Sequence, residues 1–307
     1  MTKINKRDIK VPLDVPSALR AKYVDNYLAA TQQTGRLMLF AGDQKIEHLN
    51  KDFFGEDIHL DDSTPEHLFQ IASKARIGIF ATQLGLIARY GQDYRNVRYL
   101  TKLNSKSNLV KTEQKDPNSP NIWTVEEVLD FQKNSGLKIV GVGYTVYLGS
   151  ECEAEMIRGA AKMIHDAHKN GLITVLWMYP RGKAVQDEKD SHLIAGAAGV
   201  GACLGTDFVK INPPKINGED KPELLEQAVR AAGRTKVICA GGSSTDVRVF
   251  LERLYAQIQV GTSGNATGRN IHQKGLKEAV AMCNAISAIT FDGKSSQDAF
   301  SLYEQQK

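Results

Sequence analysis

Along this chain, short apolar runs rich in β-branched residues alternate with longer amphipathic ones. That rhythm is the sign of repeated βα units and a parallel sheet. Eight units are predicted, with strands at Arg36–Gly42, Ile77–Thr82, Val97–Leu103, Lys138–Tyr144, Ile173–Tyr179, Asp207–Asn212, Lys236–Gly241 and Gly264–Gly268. The last reads weakest, because Gly264 and Asn265 are poor strand residues. Helical runs lie between the strands. Glu151–Lys169 sets Ala154, Ile157, Ala161, Ile164 and Ala167 on roughly one face. Ser191–Leu204 is rich in Ala and Gly, Pro222 opens a helix at its first turn, Ser244–Asp246 caps one that runs to Gln257, and a final helix covers Ile271 to Thr290.

Eight such units within 307 residues predict a single (β/α)8 TIM barrel domain over residues 1–307. Two stretches exceed a minimal barrel: one near 50–65, acidic and loop-like, and one near 105–121 after the third strand. Long loops at strand C-terminal ends cover substrates in barrels; a surface insertion or a subunit contact is the plainer alternative. No repeat, low-complexity segment or linker divides the chain.

In a barrel, side chains at the C-terminal strand ends face the active site, so strand alternation nominates the chemistry. In the sixth strand Phe208 and Lys210 share the inward face, and Val209 and Ile211 point to the helices. A buried lysine loses its charge more readily, and the neutral amine attacks ketones; snorkelling to the mouth or pairing with a carboxylate is the structural alternative. In the fifth strand Trp177 and Tyr179 share a face, and Arg181 opens the following loop. Tyr179 can exchange a proton at a reacting carbon, or both rings can be plain core. Asp43 ends the first strand, where a carboxylate can pair with an active-site lysine or cap the next segment. Lys102 and Lys106 follow the third strand, and Tyr144 and Tyr147 lie around the end of the fourth, each as a candidate substrate contact. The last two strands end in glycine turns, Gly241-Gly242 and Gly268 followed by Arg269. Barrels bind phosphate between these two loops, and arginine grips it in a fork.

Composition narrows the field. Apolar residues make up 42% and charged residues 24% of the chain, with a net charge of +4 and no basic block, so nucleic acid is not an expected partner. The four cysteines form no C-x-x-C pair, which suits a reducing, cytoplasmic setting. The stretch Met1–Pro16 has no apolar core of a secretory signal, and no run is long enough to span a membrane. Among the 7 histidines only His165 and His168 are spaced like ligands; they sit mid-helix and read as a solvated face, so neither metal nor cofactor is expected.

The ordered set Val142-Gly143-Tyr144-Thr145, Trp177-Met178-Tyr179-Pro180-Arg181-Gly182, Lys210 within Asp-Phe-Val-Lys-Ile, Ala240-Gly241-Gly242 and Gly268-Arg269-Asn270 resembles the archaeal-type class I fructose-bisphosphate aldolases, in the DeoC/FbaB-like Schiff-base group, from about Arg36 to Phe291. The resemblance implies metal-free cleavage of fructose 1,6-bisphosphate. Lys210 would form the Schiff base, Tyr179 would exchange protons, Trp177 would shape the pocket and Asp43 would match the first-strand carboxylate. Gly241, Gly242, Gly268 and Arg269 would hold the phosphate nearest the imine. It also implies a homo-oligomer, a decamer being one form. One departure stands out: the family's Asp-His-Gly is here Asp43-Gln44-Lys45, with Glu47-His48 retained. Lys45 would then bind a second phosphate or mark a different substrate. A Schiff-base transferase of the aromatic-precursor type and a non-catalytic phosphometabolite-binding barrel are the alternatives.

Overall fold

The computed structural model describes residues 3–48, 50–107 and 116–307. Ten strands occur among them: β1 (Leu37–Ala41), β2 (Ile79–Gln83), β3 (Arg98–Lys102), β4 (Lys138–Leu148), β5 (Ile173–Pro180), β6 (Phe208–Ile211), β7 (Lys215–Ile216), β8 (Glu219–Asp220), β9 (Lys236–Ala240) and β10 (Gly264–Thr267). Eight of them close into a parallel barrel in the order β1-β10-β9-β6-β5-β4-β3-β2, and β7 and β8 form a small hairpin beside it. The helices are α1 (Arg20–Ala30), α2 (Pro65–Lys74), α3 (Leu84–Tyr90), α4 (Val125–Ser135), α5 (Glu153–Lys169), α6 (Ser191–Leu204), α7 (Leu225–Ala232), α8 (Val247–Gln259), α9 (Arg269–His272), α10 (Leu276–Ser287) and α11 (Ser296–Gln306). This is the expected TIM barrel.

Alternation sorts the strand residues as the sequence implies. Leu37, Leu39, Ala41, Ile79, Ala81, Leu100, Val175, Trp177 and Phe208 fill the barrel, whereas Val209 and Ile211 pack among the helices. The weakest predicted strand, β10, is real, and its glycine is required there. Gly264 has φ +127°, and a Cβ on it would lie 1.9 Å from the carbonyl oxygen of Leu37 on the neighbouring strand. Helix ends carry their expected signals. The Asp246 side chain accepts from Val249 N–H, Asp190 caps α6 at its start, and Gly205 ends it in the left-handed conformation.

Two helical expectations change. The final helix is broken: α9 stops at His272, α10 starts at Leu276, and Gly275 between them is extended and packed against the His59 ring. The buried face of α5 is Met156, Ala160, Met163, Ile164, Ala167 and His168, so Ile164 and Ala167 face inward as expected while Ala154 and Ala161 are exposed.

His168 is also not on a solvated face. It is buried at the barrel floor, where Nδ1 meets Asp14 at 2.9 Å and Nε2 meets Asp207 at 3.2 Å. Asp207 further accepts from Tyr23 Oη and from the backbone N–H of Thr174. Helix α1 lies over this network, and Tyr27 stacks on Phe208. Burial by itself would lower the imidazole pKa, but the Asp207 and Asp14 carboxylates outweigh it and raise it to about 9. A proton held more tightly in the folded state than in an unfolded histidine (about 6.5) adds stability fully below that value. That stability is lost as pH rises through about 9. Thermal melts are therefore expected to fall by several degrees between about pH 6.5 and about pH 9, and His168→Gln to remove most of that slope. A variant with the wild-type slope would show that the floor network is not what titrates.

Candidate active site

The last residues of β5 and β6 and the turn after β1 converge at one mouth of the barrel. Lys210 on β6 is buried, and its register neighbour on β5 is Trp177. Its Nζ lies 5.2 Å from the centre of the Trp177 ring. Among the described residues Lys210 makes no hydrogen bond or ion pair. Burial pulls its pKa down to about 8, with Lys102 and Arg269 lowering it further and Asp43 and Glu47 opposing. A usable fraction of the amine is thus neutral near physiological pH.

A second buried lysine behaves differently. Lys102 ends β3 and is fully buried, with Nζ 5.1 Å from the Trp177 ring. It donates to the carbonyl oxygen of Asn104 at 3.2 Å and lies 3.9 Å from Asp43 Oδ2 and 3.8 Å from Glu47 Oε1. Trp177 therefore sits against two amines, one paired and one not. Gly143 makes room for the ring, since a Cβ there would come within 2.4 Å of it.

Asp43 is buried at the start of the turn after β1, and its Oδ1 has no partner among the described residues. Tyr179 is half-buried and faces Tyr147, with ring centres 6.4 Å apart. Burial and the charge of Asp43 push the Tyr179 phenol well above its ordinary value, with Tyr147 and Glu47 adding to this, so it stays protonated. Arg181 lies 5.8 Å from the Tyr179 ring and is forked onto Glu188, at 2.6 and 2.7 Å.

The two glycine turns are tied together. Asn270 donates to the carbonyl oxygens of Gly241 at 3.1 Å and Ser243 at 3.0 Å, and accepts from the N–H of Thr245. Gly242 is exposed with φ +74°. Gly268 admits no side chain, because a Cβ would meet Gln44 Oε1 at 2.3 Å and Ala41 O at 2.7 Å. Arg269 follows, 3.5 Å from Asp52, and its buried Nε has no partner among the described residues.

Two sequence-based expectations fail on geometry. Tyr144 does not line the mouth. Strand β4 runs four residues further than expected, to Leu148, so Tyr144 lies mid-strand on the outer face, its hydroxyl on Asn121 and against Gly159 of α5. Tyr147, three residues on, takes the mouth position instead, facing Arg181 and Lys106. Lys45 does not wait for a phosphate. Its Nζ donates to the carbonyl oxygens of Asp62 and Ser63 and lies over the Phe53 ring, clamping the 50–65 segment. That segment is held from the other side by a buried pair between Asp62 and His272. Of the second insertion, residues 108–115 lie outside the described residues; Lys106, at its start, is within reach of Tyr147. Glu47 was missed as a site residue. It accepts from Ser105 and approaches Lys102, and the retained Glu47-His48 pair was the signal that could have found it.

Among the described residues no three His, Cys, Asp or Glu side chains converge as metal ligands, and no helix is long and apolar enough to cross a membrane. A parallel barrel that buries an easily neutralised amine on one strand and carries a protonated phenol on the neighbouring strand is the equipment of an imine-forming carbonyl enzyme. The chain belongs to the DeoC/LacD family of aldolases, whose family model it matches over residues 37–274. It is 59% identical over 302 residues to a Methanocaldococcus jannaschii protein named fructose-bisphosphate aldolase/6-deoxy-5-ketofructose 1-phosphate synthase, covering 98% of this chain and 96% of that one. Its fold is similar to a solved fructose-bisphosphate aldolase from Slackia heliotrinireducens, with a TM-score of 0.95, 55% identity, and 99% and 96% of the two chains covered. It is also similar to an archaeal fructose-1,6-bisphosphate aldolase solved with its catalytic lysine covalently bound to a carbinolamine intermediate, with a TM-score of 0.75, 30% identity, and 88% and 99% covered.

Proposed function

We propose that this chain is a class I fructose-bisphosphate aldolase whose Schiff base forms on Lys210. The observation that carries this reading is the buried, unpaired Lys210 amine, with a pKa near 8, at the C-terminal end of a barrel strand. Neutral Nζ attacks the C2 ketone of fructose 1,6-bisphosphate, and loss of water from the carbinolamine leaves an iminium. The iminium accepts the electron pair of the C3–C4 bond once the C4 hydroxyl proton departs, and Asp43 is the carboxylate suited to take it. Glyceraldehyde 3-phosphate leaves, Tyr179 protonates the enamine carbon, and water releases dihydroxyacetone phosphate. The reverse sequence builds the sugar. No step asks for a metal. The glycine turns around Gly241, Gly242 and Gly268, with Arg269, suit the phosphate on C1, as backbone N–H groups can approach an anion closely there.

The relative at 59% identity carries a second activity in its name, and the degree of identity favours the same pair here. A 6-deoxy-5-ketofructose 1-phosphate has the C1–C3 half of fructose 1,6-bisphosphate and a different C4–C6 half. One imine on one lysine serves both, with the aldehyde half exchanged. A homo-oligomer, a decamer being one form, working in the cytoplasm in sugar breakdown and synthesis completes the reading. The large apolar side chains Leu13, Phe54 and Leu60, exposed on a single chain, support the oligomer.

The test has two parts. Fructose 1,6-bisphosphate cleavage should persist in excess EDTA. Borohydride reduction with dihydroxyacetone phosphate should add its mass at Lys210. Cleavage abolished by EDTA, or no adduct at that lysine, would end the proposal.

A further inference from the structure

Strand β2 carries a polar side chain that the mechanism above does not use. Alternation sets Ile79, Ala81 and Gln83 on the inner face, and the first two pack inside the barrel. Gln83 stands in register beside Lys102 on β3. Its amide is buried, and neither Nε2 nor Oε1 has a partner among the described residues. Buried amides without partners are costly and rare in folded proteins, so a pair of them on one side chain calls for a ligand-side explanation.

The position of β2 says which part of a substrate it meets. In the ring of eight strands β2 stands four places from β6 whichever way the ring is followed, so Gln83 lies across the barrel from Lys210. The glycine turns belong to β9 and β10, next to β6 on one side. A ketose joined to Lys210 through C2, with its C1 phosphate toward those turns, sends C4–C6 across the mouth toward β2 and β3.

We propose that Gln83 is a specificity-determining residue that hydrogen-bonds the oxygen on the carbon next to the aldehyde carbon of the acceptor half, C5 of the joined sugar. An amide presents both a donor and an acceptor, so it takes a hydroxyl or a ketone at that carbon and rejects a methylene. The inference rests on the imine reading of Lys210.

The test runs in the direction of synthesis, with dihydroxyacetone phosphate as donor. The acceptors are glyceraldehyde 3-phosphate and its 2-deoxy analogue. Wild type should favour the hydroxylated acceptor in kcat/KM by roughly 30-fold or more, the scale on which leaving one buried hydrogen-bonding group unpaired acts. Gln83→Met, similar in shape but without the amide, should bring that ratio to within about threefold of parity. Both proteins should form the borohydride-trapped adduct at Lys210 equally fast with dihydroxyacetone phosphate alone, a readout that general damage to the pocket would not spare. A Met variant that keeps the wild-type preference, or that also loses the adduct, overturns the inference. A wild-type protein without the Lys210 adduct would sink the imine reading itself.

Discussion

Lys210→Ala is expected to lower fructose 1,6-bisphosphate turnover by at least about 10⁴-fold, the scale on which removing a covalent nucleophile acts. The variant should fold, because a buried amine without a partner costs stability and alanine removes that cost, although the space left behind offsets part of the gain. It should still bind phosphate ligands, since the glycine turns and Arg269 lie on other strands. Steady-state rates and intact mass after borohydride reduction check this. The competing site is Lys102, the other buried amine on the Trp177 ring. Lys102 donates to Asn104 and lies beside Asp43 and Glu47, so its nitrogen is already engaged and should not capture the ketone. A substrate mass on Lys102 in the variant, with turnover kept, would reverse the assignment. In wild type the trapping rate should climb as pH rises through about 8, because the neutral amine is the attacking species and burial, with Lys102 and Arg269, lowers the pKa to that point.

Tyr179→Phe should cut cleavage by about 10²- to 10⁴-fold, the usual range for loss of a positioned acid or base. The adduct on Lys210 should still form. This split follows from geometry and charge: the phenol is held protonated by burial and by Asp43, so its task is to deliver a proton to the enamine carbon after the imine has done its work. Single-turnover trapping beside steady-state cleavage distinguishes the two steps. A variant that cleaves at the wild-type rate would pass the proton role to another group, such as Tyr147, whose ring stacks with that of Tyr179.

The fold was legible because its signals are local. Eight apolar runs spaced by amphipathic ones leave a parallel barrel as the simplest way to bury both faces. Two-residue alternation then put Phe208 and Lys210 inside and Val209 and Ile211 outside, as the packing bears out. Gly264 looked like a weak strand residue by propensity and is instead demanded by the approach of β1.

Pattern failed where the outcome depends on how far an element runs or on what packs over it. A fourth strand ending near Tyr144 leaves Tyr144 and Tyr147 both as candidates; alternation carried to the true strand end at Leu148 chooses Tyr147. Lys45 looked like a free cation, but the folded 50–65 segment covers it with two carbonyls and a ring. His168 looked solvated because helical spacing does not reveal that α1 and Asp14 close over the floor.

By itself, then, the sequence determined the barrel, the inward lysine of its sixth strand, and the aromatic pair and glycine turns around it, since period and residue type act within a few residues of one another. Only the tertiary structure decided which of two buried lysines is left unpaired, which tyrosine reaches the mouth, and that the strand of Gln83 stands across the ring from that of Lys210. Those outcomes depend on strands distant in sequence meeting in register, and on desolvation, which no single segment carries alone.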